Sequence, residues 1–121
     1  MKIKLFEIVD SISVLNKLQV QELPAKTAYK VQKNIKEITE EIQEFETIRT
    51  KLVEKYSKEN KDGIKYIPEE NMEKANIELT ELLQEEIEIN ISKININDLS
   101  FRISPLDLAK IDWMIEDSFI K

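Results

Sequence analysis

Residues 24–56 read PAKTAYKVQKNIKEITEEIQEFETIRTKLVEKY, and this stretch decides the fold. Ala28, Val31, Ile35, Ile38, Ile42, Phe45, Leu52 and Tyr56 recur in steps of three and four; Arg49 takes one place in the stripe, with Ile48 beside it. The mean step is about 3.5 residues, the spacing at which one face of a helix stays turned toward a partner. Pro24 opens the run, because proline is tolerated in the first turn of a helix and pushes the residue before it out of helical geometry. The stretch therefore predicts one long helix, and its stripe must be covered. One cover is an antiparallel hairpin with the helix that precedes it. The other is an oligomer seam along Val31, Ile35, Ile38, Ile42, Phe45 and Leu52. The preceding helix is about half as long, so the C-terminal half of the chain or a second copy must supply the remaining cover. On that reasoning a homodimer is predicted.

Working outward, residues 4–18 form the shorter helix. Leu5, Ile8, Ile12 and Leu15 share one face, widened by Phe6, Val9 and Val14. On the other side, residues 57–63 make a polar turn closed by Asp62-Gly63, followed by a short β-prone piece at 64–67. Pro68 opens a third helix with Glu69 and Glu70 near its positive end and Met72, Ala75, Leu79 and Leu82 as its apolar face. At Ile87 the period changes to two: Ile87, Ile89 and Ile91 alternate with polar residues, and Ile94 and Ile96 continue in the opposite phase. A bulge or turn near Ser92-Lys93 accounts for the shift. Leu99, Phe101 and Ile103 make a further short strand, and a small sheet is expected from 64–67, 87–96 and 100–103. Ser104-Pro105-Leu106-Asp107 starts a last helix, running to about Asp117, with Leu108, Ile111 and Ile115 inward and Trp113 and Met114 at their flank. The fold class is α+β, mainly α. It consists of a long heptad-patterned helical hairpin, a small antiparallel sheet and a C-terminal helix, in a single domain over residues 1–121.

Composition limits the chemistry. The chain of 121 residues has no Cys and no His, which excludes disulfides, Cys/His zinc sites, thiol catalysis and histidine-based triads. One Gly and three Pro leave too few turns for an all-β domain. Net charge is −6, which disfavours duplex DNA as a ligand. No apolar run approaches the roughly 20 residues that cross a bilayer. Glu7 and Asp10 interrupt what would be the apolar part of a signal peptide, so no export signal is read. The expected location is the cytoplasm, away from membranes.

Four constellations have the residue types for function. Glu40, Glu41 and Glu44 spell EExxE, with Glu59 and Asp62 following as ExxD. This resembles the magnesium-binding signature of the all-α nucleotide pyrophosphohydrolases, in which grouped carboxylates hold a metal that holds a triphosphate. However, Ile38, Ile42 and Phe45 define the inward side, which puts Glu40 opposite them. No metal site, cofactor or catalytic residue is therefore expected. Lys26, Lys30 and Lys33, with Tyr29 and Asn34 beside them, form a candidate binding site for an anionic small molecule near a helix start. The same lysines also read as a solvated face offsetting Glu37, Glu40, Glu41 and Glu44, with Lys33–Glu37 as an i,i+4 pair. Glu69, Glu70, Glu73, Glu78, Glu81, Glu85, Glu86 and Glu88, relieved only by Lys74, read as a solvated run or as a surface for a basic partner. Trp113 with Phe119 reads as interface anchor or core filler.

Leu23-Pro24-Ala25-Lys26, Tyr29, Lys33-Asn34, Phe45-Glu46, Arg49 and Lys55-Tyr56 resemble a family of small proteins of unknown function from phages and prophages of Gram-positive bacteria. The similarity extends to the stretch around Leu82 and to Asp98-Leu99. The resemblance implies a virus-encoded protein made inside a bacterium. The function expected is that of a non-enzymatic accessory protein that binds a host protein or sequesters a small anionic signal molecule, in the manner of counter-defence proteins. A virion or tail assembly factor is the alternative, and a magnesium-dependent nucleotide pyrophosphohydrolase is the third reading.

Overall fold

The computed structural model describes residues 1–116. The chain runs through strand β1 (Lys2–Lys4), helix α1 (Leu5–Leu18), helix α2 (Ala25–Tyr56), strands β2 (Lys58–Glu59) and β3 (Lys65–Tyr66), helix α3 (Glu69–Leu83), strand β4 (Glu86–Glu88) and helix α4 (Pro105–Ile111). Short 3₁₀ turns occupy Ile96–Asp98 and Asp112–Met114. The α+β, mainly α class is observed: helices dominate, and the β component is small and antiparallel.

The long helix starts one residue after the proline that predicts it, with Pro24 as its N-cap. At about 1.5 Å per residue, α2 is about 48 Å long and α1 about 21 Å. α1 lies against α2 as far as Ile42 and Gln43, where Ile12 and Leu15 face Ile35 and Ile38 across a small apolar cleft. Beyond that point α3 takes over as the cover. The Asn71 side chain donates to the Tyr56 carbonyl at 3.1 Å, and Lys55 pairs with Glu78 at 3.3 Å. The surplus stripe is thus covered in part from within the chain. Val31, Ile38 and Phe45 are buried in its own core, while Ile35, Ile42 and Leu52 are half-buried.

The buried line on α2 also differs from the heptad stripe. It runs through Thr27, Val31, Asn34, Ile38 and Phe45, and Ala28 is exposed. The cause is the segment after β4, which packs along α2 next to the face that α1 covers. Two polar residues of α2 fasten it there. Asn34 donates to the Ser92 carbonyl and accepts from the Ser92 N–H, both at 2.9 Å. The Thr27 hydroxyl donates to Asp98 at 2.7 Å. Ile89 and Ile94 are buried beside them.

The expected three-segment sheet is replaced by two separate two-stranded ones. The 64–67 piece folds back on β2 through the Asp62-Gly63 turn, where Gly63 has φ of +76° and the Asn60 side chain accepts from the Asp62 and Ile64 N–H groups. Of residues 87–96, only the first part is a strand. β4 pairs with β1 in the register Lys2↔Glu88, Ile3↔Ile87, Lys4↔Glu86. Opposite charges face one another on one side and two isoleucines on the other, the arrangement that stabilises an antiparallel pair. Residues 100–103 form no strand.

The last helix begins as expected, with the Ser104 hydroxyl accepting from the Asp107 N–H at 3.1 Å. It ends at Ile111 rather than near Asp117. The chain turns extended at Ile115 because that residue bridges to Ile94: the Ile94 N–H donates to the Met114 carbonyl and the Glu116 N–H to the Ile94 carbonyl, each at 2.8 Å. Ile94, Ile111 and Met114 are fully enclosed as a result, so Met114 belongs to the core rather than its flank.

Candidate functional site

The lysine stripe lies on the first three turns of α2. Lys26 and Lys33 are exposed, Lys30 is half-buried, and Tyr29 is 62% exposed. The Lys33 ammonium sits 5.6 Å from the centre of the Tyr29 ring, a cation–π distance. None of the three lysines joins an ion pair among the described residues, and the expected Lys33–Glu37 pair does not form. At 100° per residue Lys30 flanks the buried line of Thr27 and Asn34, and Lys26 and Lys33 lie further round the helix, on its exposed side. The clefts lie elsewhere. One of about 320 Å³ opens between the α1–α2 loop and the other side of α2, lined by Leu18, Leu23, Val31, Ile35 and the amides of Gln19, Gln21 and Gln32. No ionisable group lines it. A smaller cleft of about 150 Å³, beside Phe101, Arg102 and Ile103, is bordered by Lys17 and Asp107. These two groups pair at 2.8 Å and tie α4 to α1. The Lys17 ammonium holds the Asp107 carboxyl below its ordinary value of 3.8. The structure therefore brings Lys26, Tyr29, Lys30 and Lys33 together on one open helix surface, but not into a pocket.

The EExxE carboxylates fall mid-helix, with Glu40 and Glu44 exposed and Glu41 half-buried. Partial burial pushes the Glu41 carboxyl upward, and Glu44, Glu37 and Glu40 add to that by repulsion. Glu59 and Asp62 belong to the β2–β3 hairpin, beyond roughly 20 Å of intervening helix. Among the described residues no three acidic side chains are grouped to hold a metal ion. A raised folded-state carboxyl opposes folding at neutral pH, so neutralising this group relieves strain. The Glu41→Gln, Glu44→Gln variant is expected to melt at or slightly above the parent, within about 1 kcal/mol. Calorimetric titration with Mg²⁺ is expected to be flat for both proteins. Tight Mg²⁺ binding lost in the variant would reinstate the metal site.

The acidic run divides into two sets. Glu70 pairs with Lys58 at 3.6 Å, Glu78 with Lys55, and Glu88 with the N-terminal ammonium at 2.9 Å. Glu69, Glu73 and Glu81 enter no ion pair among the described residues, and they share the outer face of α3 with Met72 and Ile77. Trp113 is half-buried, with its indole N–H donating to the Lys110 carbonyl at 3.1 Å, which makes it a packing residue of the α4 end. Phe119 lies outside the described residues. The sequence reading missed Thr27 and Asn34 as fastening points. Their visible signal was position alone: polar side chains one residue off the apolar stripe.

No family model, characterised protein or solved structure matches the chain. No described helix is long and apolar enough to cross a membrane.

Proposed function

We propose that the chain is a non-enzymatic accessory protein, encoded by a phage or prophage of a Gram-positive bacterium, that acts in the host cytoplasm by holding a host protein at the free end of its α2–α3 arm. The observation that carries this reading is the exposure of large apolar side chains there. Ile64 is 60% and Tyr66 48% exposed on the hairpin, with Val53 exposed on the adjoining turns of α2. Large apolar and aromatic side chains grouped on an exposed surface mark interfaces with other proteins. Sequestration of a small anion has less support, because among the described residues the lysines that would bind it do not line the clefts beside α1 and α4.

The test places a photo-crosslinking residue at Tyr66 and, as the comparison, at Val20, which is 80% exposed at the opposite end of α2. In the bacterial host, a discrete protein adduct is expected from position 66 and none from position 20. Ile64→Asp should abolish the adduct while leaving the fold intact. An adduct from position 20 alone would move the contact to the α1–α2 loop, and none from either would reject the reading.

A further inference from the structure

Among the described residues, two faces are left without ion pairs and with charge of opposite sign, and each carries exposed apolar or aromatic surface. On α3, Glu69, Glu73, Ile77 and Glu81 follow one another at intervals of four residues and so form one row that winds gently along the helix. Ile77, 52% exposed, stands within that row, and Met72, 50% exposed, stands beside its first turn. The other glutamates of the helix are already engaged, Glu70 by Lys58 and Glu78 by Lys55, which leaves the outward row as the part without an ion pair among the described residues. It is not built to hold a metal ion either. What would satisfy it is a set of cations spaced along a helix, with something apolar between them. The start of α2 has that composition: Lys26, Lys30, Lys33 and Lys36 occur without a single interleaved acid, and Tyr29 stands exposed among them.

We propose that a second copy of the chain is the occupant of the α3 face. The lysine stripe of one protomer docks on the glutamate row of its partner, with Tyr29 against Met72 and Ile77. Because each protomer has both faces, a twofold arrangement makes the contact twice and closes on itself. Exposed ion pairs contribute little individually, so the aromatic and apolar side chains form the desolvated centre. The charges set register and salt dependence. The stripe spans about 10 Å of helix and the row about 18 Å, so the lysines fit within the length of the acidic row. This dimer makes no use of the heptad stripe. It rests on charges outside the hairpin, so its failure would leave the host-partner reading standing.

The measurement is the mass in solution by analytical ultracentrifugation in about 0.1 M and about 1 M salt, between which the screening length falls from roughly 10 Å to roughly 3 Å. The expected result is twice the chain mass of 14.2 kDa at the lower salt and at least tenfold weaker association at the higher. Lys26→Glu with Lys33→Glu should be monomeric, and so should Glu73→Lys with Glu81→Lys. All four positions are exposed, so both variants are expected to keep the parent's circular dichroism. Mixed together, the two variants should restore the dimer, because both contacts are again of opposite sign. A monomer at low salt, a dimer that survives either charge reversal, or a mixture that stays monomeric would each overturn the proposal.

Discussion

Ile38→Asp is expected to unfold the protein or bring it to the edge of unfolding, whereas Ile42→Asp four residues along is expected to be tolerated. Both positions belong to the same apolar stripe, but the structure separates them. Ile38 is 2% exposed, at the centre of α2 and in the common core with α1. Ile42 is half-buried at the rim of the α1–α2 cleft. A carboxyl placed at Ile38 must stay neutral or break the packing around it, at a cost of about 4–5 kcal/mol or more. That is comparable to the whole stability of an ordinary domain, about 5–15 kcal/mol. At Ile42 the carboxyl reaches water by a rotamer change, and about 1–2 kcal/mol is expected. Urea unfolding followed by circular dichroism gives both values. Ile38→Ala supplies a foldable third point, expected to cost about 2–5 kcal/mol for the cavity it leaves. Equal costs for the two aspartate variants would mean that α1 does not lie where the structure places it.

The contrast between these neighbours shows how far the sequence could be read. Local signals were legible. Pro24 marks the start of α2, Asp62-Gly63 makes the turn that its positive φ requires, and Ser104 caps α4 through Asp107. Each of these depends on residues a few positions apart. What was not legible depends on partners far apart in the chain. β1 is three residues long and has a lone apolar side chain, and it exists because Glu86–Glu88 arrives beside it after three helices. The end of α4 is set by the bridge from Ile115 to Ile94, which lies 21 residues back in the chain. The same limit applies to the candidate site. That Lys26, Lys30 and Lys33 share a face follows from helical period alone, and the structure keeps them together. That the largest cleft nearby opens on the opposite side of α2 depends on the course of the α1–α2 loop, which no period encodes.

Asn34 shows what a buried polar residue does in a helix otherwise read as an apolar stripe. It is 1% exposed, and its amide matches the peptide group of Ser92 donor to acceptor and acceptor to donor. Asn34→Leu keeps the volume and removes both bonds, leaving an N–H and a carbonyl facing an apolar side chain. Each such group costs about 1–3 kcal/mol when buried, and Ser92 is half-buried, so a loss of about 2–4 kcal/mol is expected. Faster amide exchange should be confined to residues 89–99. Asn34→Asp retains the acceptor for the Ser92 N–H but sets a carboxylate against the Ser92 carbonyl. Burial and that carbonyl must raise the introduced carboxyl above its unfolded value, so it opposes folding at neutral pH. As the pH falls through the raised value it takes up a proton and can donate to the Ser92 carbonyl. Relative to the parent, Asn34→Asp should therefore be least stable at neutral pH and recover on mild acidification, while the deficit of Asn34→Leu stays constant with pH. Measured across that range by thermal melting, parallel curves for the two variants would show that Ser92 is not held by this amide.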